Sequence, residues 1–246
     1  MLKNKNMLSH PSSVYNFQIK SYHSDQDGKL TLFSLFHFLQ ECAWDNARLN
    51  NFGYEFLKEN KAFWVLSRIL VYMDHYPNWK EEIQIKTWPK GTDGIFALRD
   101  FEIILNDMVI GRVTTSWLIL DMDTRRPRKL DGFNFFHENF MQEEAIPKKL
   151  EKIVLNGDPK ILESRKVYYS DLDVNRHVNN ASYVRWILDS YFSANHLNSI
   201  REFEINFISE ISLNDEFTVH SVGNEDDKYF IIKNSKNRDV CKARIK

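Results

Sequence analysis

The chain has 246 residues, 43% of them hydrophobic, with 18 Phe and a formal net charge of −1. That length supports one large or two small cores, and so balanced a charge excludes general nucleic-acid binding, which relies on a strong positive field along the phosphates. No segment approaches the length of an apolar membrane span, and the two widely separated cysteines, Cys42 and Cys241, suggest neither a disulfide framework nor a zinc site.

In chain order, Met1 to His10 has a basic start but no apolar stretch or small-residue cleavage site, so the cytoplasm is the expected compartment. A polar loop, Tyr22-His-Ser-Asp-Gln-Asp27, precedes a run from Thr31 to Asn46 in which Leu35, Phe38, Leu39 and Cys42 recur at helical spacing. Alternating segments then predict antiparallel strands at 70–74, 82–88, 96–105 and 109–120. Between Pro127 and Pro159 the pattern changes. Phe133, Phe135, Phe136 and Phe140 precede a Lys- and Glu-rich stretch to Lys152, which is read as a connecting helix, since a flexible linker would not carry so many aromatics. Tyr168-Tyr-Ser-Asp-Leu-Asp173 opens a second helical run, with Tyr183, Trp186, Ile187, Ser190 and Tyr191, and strands at 204–208 and 216–222.

These elements form an internal repeat. Tyr22–Asp27 matches Tyr168–Asp173 at an offset of about 146 residues, which pairs Asp27 with Asp173 and sets Gly28-Lys-Leu-Thr31 against Val174-Asn-Arg-His177. An amide and an imidazole are therefore present in the second copy only, and one active site per chain is expected there. Each copy, a loop, one helix and a run of long strands, has the order of a hotdog fold. The expected class is α+β: two tandem hotdog units, each a curved antiparallel sheet wrapped around a long helix. The divisions are an N-terminal unit at 1–130, a linker at 131–160 and a C-terminal unit at 161–246.

The densest polar cluster is Asp171-Leu-Asp-Val-Asn-Arg-His-Val-Asn-Asn180, directly before the second helix. Asp173, Asn175 and His177 alternate, so an extended or turn backbone would point them the same way, ready to polarise a water and hold a carbonyl. An unperturbed imidazole titrates near neutrality, which makes His177 the natural base or acid. Asn175 can offer its amide N–H to a carbonyl or orient water, while Asn179 and Asn180, nearer the helix, suit capping. Asp173 either orients its neighbours or attacks directly.

This stretch resembles the DxDxNxHVNNxxY signature of the acyl-acyl-carrier-protein thioesterases. Ser24–Gly28, Phe63–Arg68, Tyr76–Trp79, Thr87–Gly91 and Asp121–Arg126 resemble further segments of that family, in its order. The resemblance implies hydrolysis of the thioester of fatty acyl-acyl-carrier protein, ending fatty-acid synthesis, in an acyl pocket supplied by the first unit. It also implies a fourth site residue, Glu210, where the family activates water; plant members carry a cysteine at the next position, which here is Ile211. No metal or organic cofactor is implied. The implied partner is an acyl carrier protein carrying a fatty acyl chain, with no nucleic acid and no membrane span; a homodimer is left open. Arg125-Arg-Pro-Arg-Lys129 is either a carrier-docking patch or a solvated loop. Phe63, Trp64, Trp88, Phe96 and Trp117 are either an acyl tunnel or ordinary core. The rival readings are a hotdog thioesterase acting on acyl-CoA, a hotdog dehydratase, which has no need of the Asn, and a non-catalytic acyl- or carrier-binding protein.

Overall fold

A computed structural model describes residues 11–133, 140–193, 200–223 and 228–246. Phe135, Phe136 and the first ten residues lie outside the described set.

Strand β1 (Ser13–Gln18) leads into helix α1 (Leu32–Leu49) and a short α2 (Tyr54–Glu59). Four long strands follow: β2 (Ala62–Met73), β3 (Glu82–Asp93), β4 (Phe96–Leu105) and β5 (Met108–Asp121). The second half repeats the pattern with β6 (Lys160–Lys166), α3 (Asn180–Ser193), β7 (Glu202–Phe207), β8 (Glu216–Gly223), β9 (Lys228–Asn234) and β10 (Asp239–Ile245). Helix α1 forms where apolar residues recur on one face, with the Thr31 hydroxyl accepting the Ser34 N–H at 3.1 Å as its N-cap.

The strands make one ten-stranded sheet in the order β1-β3-β4-β5-β2-β7-β10-β9-β8-β6. Outward from the centre, the first half runs β2, β5, β4, β3, β1 and the second β7, β10, β9, β8, β6, which is the same order. The halves join where β2 and β7 pair antiparallel, from Arg68↔Asn206 to Tyr72↔Glu202. A double hotdog results: two equivalent units related by a local twofold, with α1 and α3 packed together on one face of the continuous sheet. Ile69 and Val71 point into the core beneath these helices, and the alternating Leu70 points to the other face.

That other face is covered by the connecting segment, which is not the expected helix: residues 140–159 are extended or irregular. Pro147 would remove a helical donor in mid-segment, and the sheet offers partners instead. The Trp88 indole N–H donates to Glu143 O at 2.8 Å. Ala145 N–H donates to Asp100 Oδ2 and Ile153 N–H to Asn206 Oδ1, both at 2.8 Å. Ile146 and Leu150 cover Leu70. The segment is thus a strap laid across both units, with backbone groups bonded to side chains from β3, β4 and β7. Among the described residues no helix is long and apolar enough to cross a membrane.

Candidate active site

Asp173 organises the loop before α3. Its Oδ1 accepts the backbone N–H of Asn175 at 2.8 Å and of His177 at 3.1 Å, its own N–H donates to His177 O at 2.8 Å, and its carbonyl accepts from Arg176 N–H at 3.0 Å. So tight a turn needs one left-handed residue, and Arg176 supplies it at φ 65°. A side chain in that region carries strain that glycine would not, of a kind found most often at functional sites. Asn179 caps α3, its Oδ1 accepting Ala181 N–H at 2.9 Å, as expected of it, while Asn180 faces the cavity described below.

The first unit builds the same turn, and comparing the two corrects the sequence register. Asp25 Oδ1 accepts the N–H groups of Asp27 and Lys29, both at 2.9 Å, Asp25 N–H donates to Lys29 O at 2.8 Å, and Gly28 takes the left-handed position at φ 74°. Asp25, not Asp27, is therefore the counterpart of Asp173. Asp27 stands where Asn175 does, Gly28 where Arg176 does, and Lys29 where His177 does. The similarity of Tyr-x-Ser-Asp-x-Asp in both copies had drawn the alignment two residues out of step, because residue identity outweighed the hydrogen-bond frame. The amide and imidazole still occur once.

Glu210 lies three residues past the end of β7. The N–H groups of Ile208 and Ser209 donate to Val240 O at 2.9 and 3.1 Å, fixing the approach to it. On its other side Ile211 is buried, as is the Tyr183 phenol of α3, whose pKa is raised mainly by burial. Tyr183 also borders the cavity described below, a placement that sequence reading missed because a tyrosine at helical spacing looks like core. The His177 Nδ1 to Glu210 Oε1 distance is 3.8 Å, with the side chains 36% and 50% exposed. That is beyond a hydrogen bond yet within ion-pair range, and it brings two groups able to hold a proton to one place.

Asp173, Asn175, His177 and Glu210 all border a single cavity of about 970 Å³. Most of the rest of its wall is apolar and comes from the first unit, with Ala43, Trp44 and Ala47 of α1, Phe52, Leu57 of α2, and Phe63, Trp64, Leu66, Ala97 and Trp117 of the strands, while Val178, Tyr183 and Phe207 add to it from the second. Of the five aromatics singled out from sequence, Phe63, Trp64 and Trp117 line it. Trp88 is fully buried beneath the strap, and Phe96 packs against the Arg68 guanidinium at 4.7 Å. Alternation in a strand does not reveal which face holds a cavity. Nothing in the sequence marked Phe52, Leu57 or Phe140 as lining a cavity.

Both cysteines are fully buried, and neither borders the cavity. Burial pushes the Cys42 thiol up to about 12 and raises Cys241 as well, so neither is an ionised nucleophile near neutral pH. Among the described residues no cluster of His, Cys, Asp or Glu has the arrangement of a metal site. Of the basic loop, Arg125 lies over the Phe63 ring at 5.0 Å beside the cavity, and Arg128 donates to Asn60 O at 2.7 Å. Those two have structural work; the Arg126 and Lys129 side chains are exposed.

The acyl-ACP thioesterase N-terminal domain family matches residues 12–132, and the acyl-ACP thioesterase C-terminal domain family matches residues 158–246. A chloroplastic palmitoyl-acyl carrier protein thioesterase of Gossypium hirsutum is 30% identical over 202 residues, 71% of this chain and 46% of its own length. An oleoyl-acyl carrier protein thioesterase of Arabidopsis thaliana is 29% identical over 194 residues, 71% of this chain and 53% of its own. The chain thus spans about half the length of the curated relatives it matches. Among solved structures, an acyl-ACP thioesterase from Bacteroides thetaiotaomicron superposes with a TM-score of 0.87 and 27% identity, covering 96% of this chain and 97% of that one. The 12:0-ACP thioesterase from Umbellularia californica, at 20% identity, shares the fold with a TM-score of 0.84 over 96% of each chain. By both domain matches and the extent of these likenesses, the chain belongs to the acyl-ACP thioesterase family.

Proposed function

We propose that this protein hydrolyses the thioester of fatty acyl-acyl-carrier protein, releasing a free fatty acid and the carrier thiol. The observation that carries this reading is the cavity itself: an apolar chamber built largely by one unit and closed at its polar end by Asp173, Asn175, His177 and Glu210 of the other. An acyl chain would lie among the aromatics with its thioester carbonyl at that end. Glu210 and His177 take the proton from a water as it adds to the carbonyl carbon, and the Asn175 amide N–H stabilises the oxyanion. Collapse breaks the C–S bond, and the imidazolium returns the proton to the departing thiolate.

For Asp173 the geometry favours orientation over attack, because its Oδ1 is committed to two backbone N–H groups. The same bonds at Asp25, in a loop with Asp27 and Lys29 in place of Asn175 and His177, support that assignment. The division at 1–130, 131–160 and 161–246 belongs to this reading, with the strap as the middle segment. We place the reaction in the cytoplasm, a reducing compartment suited to two free thiols. Carrier docking is assigned to the exposed part of the Arg125–Lys129 loop beside the cavity.

A chain-length panel of acyl-ACP and acyl-CoA tests the proposal. The expected result is a kcat/KM at least about tenfold higher for acyl-ACP. Preference for acyl-CoA would favour the rival thioesterase, and acyl binding without turnover would favour a non-catalytic protein.

A further inference from the structure

We propose that Asp171 and Arg185, which do not border the cavity, are positioning residues whose buried ion pair holds the catalytic loop in register with α3. The inference rests on the hydrolase reading above.

Asp171 is 2% exposed and sits where the loop, the helix start and the helix body meet. One carboxylate oxygen accepts Tyr168 N–H at 2.7 Å and the other is paired with the Arg185 guanidinium, one turn into α3. Its carbonyl accepts Asn179 N–H at 2.9 Å and the Ser182 hydroxyl at 3.0 Å. One residue therefore ties the entry of the loop to the cap, first turn and second turn of α3. The Asp173 turn, with Asn175 and His177, is suspended between these fixed ends.

The first unit shows that the turn can be built without a buried charge. There His23 occupies the Asp171 position and His37 the Arg185 position. His23 Nδ1 accepts Lys20 N–H at 3.1 Å, and Thr31 N–H donates to His23 O at 3.0 Å, reproducing the frame. An imidazole suffices for folding. A carboxylate–guanidinium pair is costlier to desolvate and more directional, and directionality is what a reaction centre requires. The charged version stands only in the unit that carries Asn175 and His177. Arg185 also lies over the Phe33 ring of α1 at 5.3 Å, so the pair is braced against the other unit.

The test compares Asp171→Asn, Arg185→Gln and Arg185→Lys with His37→Gln, the matching change in the first unit. Asp171→Asn and Arg185→Gln should lower kcat about tenfold to a hundredfold, the scale of a small misplacement, with KM within about threefold. Arg185→Lys should recover most of the loss, and Asp171→Asn with Arg185→Gln should be no worse than either alone. His37→Gln should leave kcat unchanged. Should Asp171→Asn not fold, the Arg185 pair decides. A kcat within threefold of wild type in folded Asp171→Asn and Arg185→Gln overturns the proposal, as does a loss confined to KM. A wild type inert on every thioester would sink the hydrolase reading instead. In that case the His177 imidazole NMR resonances decide positioning: they should move in Asp171→Asn and stay in His37→Gln, and unmoved resonances would refute it.

Discussion

Replacing Asp173 by Asn and by Ala, with Asp25→Ala as the control, separates the two roles open to this carboxylate. Each aspartate accepts two backbone N–H groups, at 2.8 and 3.1 Å for Asp173 and at 2.9 Å twice for Asp25. At about 1 kcal/mol per such bond in a partly solvated loop, either alanine variant should lose about 2 kcal/mol, or roughly 4–8 °C in Tm for a chain of this size. Asparagine keeps Oδ1, so Asp173→Asn should cost under about 1 kcal/mol. If Asp173 only orients the loop, Asp173→Asn should retain kcat within about tenfold, Asp173→Ala should lose more as Asn175 and His177 drift, and Asp25→Ala should lose almost none. Thermal melts and steady-state kinetics on acyl-ACP read all three. A fall in kcat of about a thousandfold or more in Asp173→Asn at unchanged Tm would identify a nucleophile and refute the argument.

His177→Ala, Asn175→Ala and Glu210→Gln should each lower kcat by on the order of a hundredfold or more in folded protein, and retained activity in any of them removes that residue from the site. Cys42→Ala with Cys241→Ala should keep kcat within about threefold, with buried volume lost at about 1–2 kcal/mol per site; a hundredfold loss in the folded variant would revive a thiol mechanism. Arg126→Glu with Lys129→Glu should raise KM for acyl-ACP and flatten its salt dependence while sparing a short acyl thioester, and an equal effect on both substrates would argue against docking. Burial, helped by Lys20, lowers the His23 pKa, and burial, helped by Arg185 and His23, lowers that of His37. The unfolded chain then takes up protons more readily than the folded one, so this stability is complete above the ordinary imidazole value of 6.5 and declines as pH falls below it. Tm should drop between pH 7 and pH 5.5 by less in His37→Gln than in wild type.

The strands, the helices and the duplication were legible because each rests on a period: two in Ile83-Gln-Ile85, three to four in Leu35-Phe38-Leu39-Cys42. Asp173, Asn175, His177 and Glu210 were legible as a cluster through polar density and family resemblance, and the structure brings all four to one cavity. What failed was whatever depends on partners distant in sequence. Residues 140–153 have a helical composition, yet the donors and acceptors that hold them extended come from Trp88, Asp100 and Asn206. Asp25 and Asp27 could not be told apart as counterparts of Asp173, since only the hydrogen bonds to Asp27 and Lys29 N–H mark Asp25 as the turn's acceptor. Leu57 and Ala47 look like core in sequence, and only their place around the cavity distinguishes them.

Duplication within one chain lets the halves diverge in ways that identical subunits cannot. In a symmetric pair every change at a site is made twice, so a pocket enlarged on one side is enlarged on the other. Here the first unit is packed beneath its loop: Phe17 stacks on Phe38 at 4.4 Å, His23 meets Phe38 edge-on at 4.8 Å, and the Tyr76 hydroxyl donates to Ile200 O at 2.8 Å across the units. That packing stabilises the joint through which β2 and β7 pair, and it leaves Lys29, the position matching His177, beside a backbone bridge to Asn78. The first unit can then give the opposite side of α1, where the small Ala43 and Ala47 lie, to an open apolar chamber. One half supplies most of an apolar chamber and rigidity for the joint. The other keeps the charged loop in which Arg176 takes, at some cost, the left-handed position that its counterpart gives to Gly28.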